Sequence, residues 1–97
     1  MLYSKLLKLL NDKEFPEIEK IYENEKIIID KDENLLTIYG TALINQNKDE
    51  LALKAFKKAY SISTKNRNME NLAYALHKTK NFEEASNLYM KLSAFWK

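Results

Sequence analysis

Ninety-seven residues, 45% of them hydrophobic, suffice to bury the core of one small domain and are too few for two. The 16 basic and 14 acidic side chains leave a net charge of +2 and alternate along the chain, which argues against an electrostatic nucleic-acid binder. Without cysteine there is neither a disulfide framework nor a thiolate metal site, and a single histidine excludes a multi-histidine zinc site within one chain.

One glycine and one proline leave little to interrupt helix, so the predicted class is all-α, in six segments with apolar residues at three-and-four spacing. The first carries Leu2, Leu6, Leu9 and Leu10. Lys5 and Lys8 break its apolar run, so it reads as an amphipathic helix in place of a leader or anchor, and no stretch approaches the ~20 apolar residues of a membrane span. A soluble, cytoplasmic protein is expected. The second segment has Pro16 in its first turn, where a missing N–H removes no intrahelical bond, and presents Ile18, Ile21, Tyr22 and Ile28. Asp30 and Asp32 precede the third, with Leu35, Leu36, Tyr39 and Leu43. The lone glycine, Gly40, sits in its middle at a cost of about 1 kcal/mol relative to alanine. Asn47 and Glu50 read as a capping box opening the fourth, with Leu51, Ala52, Ala55, Phe56, Ala59 and Ile62. Asn66 and Asn68 precede the fifth, with Met69, Leu72, Ala73 and Leu76. Asn81 and Glu84 form a second capping box before Phe82, Ala85, Leu88, Tyr89 and Leu92. Breaks this short fold consecutive helices back antiparallel.

The segments repeat. The spaced set Gly40, Ala52, Phe56 and Ala59 recurs downstream as Ala73, Ala85, Tyr89 and Leu92, and a weaker copy stands upstream as Leu6, Ile18, Tyr22 and Glu25. Leu2, Leu36 and Met69 head the three copies, which span about 1–31, 33–65 and 66–97 and make 1–97 a single domain.

On these residues the chain resembles the tetratricopeptide repeat family. The middle copy matches best, its Gly40, Ala52, Phe56 and Ala59 standing at the family's small, small, aromatic and small sites. In the third copy Phe82 takes the family's aromatic site at the start of the second helix. The first departs most, with Leu6 and Ile18 at small sites and Glu25 at the alanine. The family's tryptophan and closing proline are absent. The resemblance implies a right-handed α-solenoid of three antiparallel helix hairpins, in which Gly40 lets the two backbones of its hairpin approach.

Nothing in the sequence points to catalysis or a cofactor. Carboxylates such as Glu17, Glu19, Glu83 and Glu84 lie at helix starts or beside lysines at helical spacing, where dipole and i,i+4 pairing account for them. The lysines near Phe56 and Tyr60 read as a solvated helix face. What remains is a surface. The resemblance implies a concave groove lined by the first helix of each unit, here Tyr3, Leu7, Leu10 and Asn11; Asn34, Thr37, Ile38, Thr41, Ile44 and Asn45; and Arg67, Asn71, Tyr74, His77 and Lys78. Its apolar members offer anchors and its asparagines both donors and acceptors, so the expected partner is a protein or peptide, a hydrophobic or amphipathic segment. The carboxylate clamp of chaperone-binding relatives is matched only by Arg67 and Asn71. The expected function is a non-catalytic binding adaptor or assembly factor. The rival is a scaffold that self-associates, as a homodimer, through Tyr89, Leu92, Phe95 and Trp96 near the C-terminus.

Overall fold

In the computed structural model, which describes residues 1–94, the chain is all-helical. Among these residues seven helices follow one another: α1 (Leu2–Asn11), α2 (Phe15–Asn24), α3 (Lys26–Ile29), α4 (Glu33–Ile44), α5 (Asp49–Ile62), α6 (Asn66–Lys78) and α7 (Phe82–Ser93). The sequence pattern predicts six; the second segment is split. Its break falls at Glu25, whose backbone leaves helical geometry at φ −118°, ψ 27°. The corresponding residues of the later units, Ala59 and Leu92, are buried. A glutamate cannot follow them inside without a partner. The chain turns there, and α3 delivers Ile29 to the core in its place.

The first helix of each unit ends in one turn, built three times. Lys13, Asn47 and Lys80, which occupy one register of the sequence repeat, are the residues with positive φ among those described, at 59°, 62° and 67°. Each is followed by a residue of nearly constant conformation: Glu14 at φ −86°, ψ 60°, Lys48 at −90°, 62° and Asn81 at −88°, 64°. The hydrogen bonds match as well. The Glu14 N–H donates to the Leu9 carbonyl at 2.8 Å, Lys48 to Leu43 at 3.0 Å and Asn81 to Leu76 at 2.8 Å. Inside each lies a second bond, from Lys13 to Leu10, Asn47 to Ile44 and Lys80 to His77. This pair of bonds is the Schellman closure, which satisfies carbonyls left over at a helix end. The expected capping boxes do not form: α5 and α7 open without a side-chain cap. Asn47 is the left-handed residue itself, and the Asn81 amide donates to the Thr79 hydroxyl at 2.8 Å. The side-chain cap that does form is Asp32, whose Oδ1 accepts from the N–H groups of Asn34 and Leu35 at 2.8 and 3.1 Å and opens α4.

Packing follows from the turns. α1 lies against α2, α4 against α5 and α6 against α7; α2 also meets α4, α5 meets α6, and α1, α4 and α6 touch in succession. Buried side chains form two clusters. One unites Leu6, Ile18, Tyr22 and Ile29 with Leu35, Leu36, Ile38 and Ala42; the other joins Leu43, Leu53 and Phe56 to α6 and α7. Tyr39 packs against both, so α4 is their shared wall.

Gly40 lies in that wall. Its φ is not positive, so the glycine supplies space and not conformation. A Cβ at this position would stand 2.5 Å from Cε1 of Phe56 and 2.9 Å from Cδ1 and Cζ. The repeat pattern sets small residue against small residue; the structure presses an aromatic ring onto the bare backbone. In the first unit Leu6 fills the equivalent place, and Tyr22 instead stacks on Tyr39, centroids 3.8 Å apart, while donating to Asp30 at 2.7 Å.

Lysine in the left-handed region carries a steric penalty of roughly 1–2 kcal/mol that glycine avoids, partly offset by glycine's larger entropy loss on folding. Lys13→Gly and Lys80→Gly should each stabilise the chain by about 0.5–1 kcal/mol, read from the urea midpoint. Asn47→Gly should gain less, because asparagine tolerates this conformation.

Candidate functional site

Nine of the fifteen residues expected to face a partner line one groove of about 270 Å³: Tyr3, Leu7 and Leu10 from α1, Asn34, Thr37, Ile38 and Thr41 from α4, and Arg67 and Asn71 from α6. Helical periodicity places them there. Residues three and four apart share a face, so each helix contributes one stripe, and the succession α1–α4–α6 sets the stripes side by side. Ile38 forms the apolar floor, buried, with Leu7 and Leu10 half-buried beside it. The Thr37 and Thr41 hydroxyls donate within α4, to the carbonyls of Glu33 and Thr37, both at 2.7 Å, and offer little to a ligand as donors. Among the described residues the side chains of Asn34 and Asn71 make no hydrogen bond to the chain, and Arg67 makes no ion pair; it is the one charged residue of the lining.

The other six lie outside the lining. Asn45 turns its amide back to the Thr41 carbonyl at 2.8 Å, and Ile44 packs on the α4–α7 core. His77 meets the edge of Phe82, centroids 5.3 Å apart, in a separate hollow with Tyr89 and Met90. Tyr74 is half exposed, while Asn11 and Lys78 end their helices. Of the residues assigned to self-association, Tyr89 is partly exposed and Leu92 buried; Phe95 and Trp96 lie outside the described residues.

One end of the groove is fixed by a junction that sequence reasoning missed. Asn68 is 1% exposed, and its amide nitrogen reaches Glu33 Oε1 at 3.0 Å and the carbonyls of Ser63 and Ala59 at 2.8 and 3.4 Å. Lys65 Nζ approaches the same Glu33 oxygen at 2.7 Å. Glu33 adjoins Asn34 and Asn68 adjoins Arg67, so the junction holds the first turns of α4 and α6, and with them the polar end of the groove, in place. The partners are 35 residues apart and no local signal announces them.

A further hollow, of about 380 Å³, lies where α2, α4 and α5 meet beside the start of α3, with Tyr22 and Tyr39 among Glu19, Glu23, Lys26, Lys54 and Lys58. Burial raises both phenols above their ordinary pKa. For Tyr22 the hydrogen bond to Asp30 and its charge add to this, and for Tyr39 the charges of Glu19, Glu23 and Asp30 do. Two of the hollow's five charges are answered within the chain, Glu19 by Lys48 at 2.9 Å and Lys58 by Asp30 at 3.3 Å.

Among the described residues no three His, Cys, Asp or Glu side chains gather as a metal-binding group, and no helix is long and apolar enough to cross a membrane. No family model, curated protein or solved structure matches the chain.

The Glu33 carboxyl is held below its ordinary pKa by the hydrogen bonds from Lys65 and Asn68. A carboxylate whose folded pKa is depressed contributes stability above its unfolded pKa and loses it as pH falls through the folded value. Urea midpoints should therefore fall on acidification through that window, and Glu33→Gln should flatten that part of the profile while lowering stability at neutral pH.

Proposed function

We propose that the chain is a non-catalytic protein-binding module of tetratricopeptide-like build, three helix hairpins stacked as a right-handed solenoid, which holds a segment of a partner protein in the groove along α1, α4 and α6. The threefold turn supports the repeat: its backbone angles and hydrogen bonds recur at Lys13, Asn47 and Lys80, in step with the recurrence of Leu6, Gly40 and Ala73 in the sequence. The observation that carries the binding reading is the convergence of nine side chains from three helices on one open groove, with the asparagine amides and the Arg67 guanidinium unpaired among the described residues. Polar groups without internal partners, set beside Leu7, Leu10 and Ile38, are the composition of a site that takes an extended or amphipathic segment, apolar side chains fixing it and amides pairing its backbone.

The groove therefore favours ligands with two apolar side chains and no net positive charge, since like charge beside Arg67 is unfavourable. Selection from a random displayed-peptide library is expected to enrich such sequences. Asn71→Ala and Leu10→Ala should each weaken the selected peptides by about tenfold, roughly the 1–1.5 kcal/mol of one hydrogen bond or one part-buried side chain, with circular dichroism unchanged. Selected peptides indifferent to both substitutions would remove the groove as the site.

A further inference from the structure

Tyr22, Phe56 and Tyr89 stand in one register of the repeat, yet they are 6%, 2% and 43% exposed. The difference has a visible cause. In the first two units the opening helix of the next unit lies over the aromatic: α4 over α2, where Tyr39 stacks on Tyr22, and α6 over α5, where Leu72 joins the cluster that buries Phe56. Among the described residues no helix follows α7. The uncovered face holds a hollow of about 350 Å³ lined by His77, Phe82, Ala85, Ser86, Tyr89, Met90 and Ser93, with Phe82 56% and Met90 67% exposed.

The two covering helices share a chemistry. Each has a large apolar residue followed at once by a small one, and by an alanine two positions later: Tyr39-Gly40-Thr41-Ala42 in α4 and Leu72-Ala73-Tyr74-Ala75 in α6. Gly40, Ala42, Ala73 and Ala75 are all buried. The large residue meets the aromatic of the preceding unit and the alanine three positions on shares its face, while the small residue between them serves the helix's own hairpin, as Gly40 does for Phe56. We propose that the face of α7 around Tyr89 seats an amphipathic α-helix of another protein carrying a large apolar residue and, three positions on, an alanine, laid on α7 as α6 is laid on α5.

A second copy does not supply that helix from its own first unit. There the register reads Lys5-Leu6-Leu7-Lys8, lysine where a ring or leucine should meet Tyr89 and lysine where alanine should be. Lys5 and Lys8 are exposed and Lys8 pairs with Asp12 at 3.2 Å, so among the described residues that end is closed by charge while the α7 face is uncovered. The asymmetry favours a heterologous partner over head-to-tail assembly.

The test uses the full chain and a synthetic peptide with the sequence of α6, residues 66–78, held helical by a staple on its solvated face. Saturable binding is expected, with NMR shifts centred on His77, Phe82, Tyr89 and Met90. Tyr89→Glu and Met90→Glu, both at partly exposed positions, should each weaken it at least tenfold with helicity retained. Three results would overturn the proposal: no saturable binding up to ~1 mM, the weak limit of specific recognition; shifts centred on α5, meaning that the peptide displaces the chain's own α6; or a dimer of the free chain that Tyr89→Glu dissociates, which would make a second copy the occupant.

Discussion

The Phe56 ring against the bare backbone of Gly40 is the contact on which the rest of the packing depends. α4 takes part in both core clusters, and the Phe56 ring of α5 can lie against it here only because residue 40 has no side chain. The gain is dispersion and apolar burial over the face of a ring that is 2% exposed. The cost is glycine's propensity, about 1 kcal/mol. A well-packed interior does not absorb an extra methyl freely, so the spacing of α4 and α5 is a fixed dimension of the molecule. α4 also supplies Asn34, Thr37, Ile38 and Thr41 to the groove, so the dimension that sets the core positions the middle stripe of the candidate site.

The units solve one packing problem with different side chains. The middle unit removes a side chain and inserts a ring. The first keeps Leu6 and engages Tyr22 with the next unit, through Tyr39 and Asp30. Its second helix breaks at Glu25, where burying a charge would cost more than interrupting the helix. Units that differ this much inside still share one turn, because the Schellman closure needs only backbone groups and one residue able to adopt positive φ.

Helix positions, the repeat register and the stripes of α1, α4 and α6 were legible in the sequence because each rests on local periodicity. The turns were not. Asparagine is favoured both as an N-cap and in the left-handed region, so Asn47 reads either way, while Lys13 and Lys80 have no preference that would reveal them. Glu25 was legible as a departure at the alanine site, but not as a break, since glutamate is a good helix former and only the burial of Ala59 and Leu92 shows what it had to avoid. The Glu33–Lys65–Asn68 junction was hidden for another reason. Its members join across 35 residues, and an asparagine near a helix start ordinarily signals a cap, whereas Asn68 lies inside α6 and ties three helices together.

The central claim concerns the sign of a single methyl group. On propensity alone, Gly40→Ala should stabilise the helix by about 1 kcal/mol; against a fixed Phe56 ring it should instead destabilise the protein by about 1–3 kcal/mol. A double-mutant cycle with Phe56→Leu, followed by urea denaturation, separates the two effects. The account predicts a loss for Gly40→Ala in the parent chain that shrinks or reverses once the ring is gone. A gain of stability in the parent, or a loss unchanged by Phe56→Leu, would contradict it.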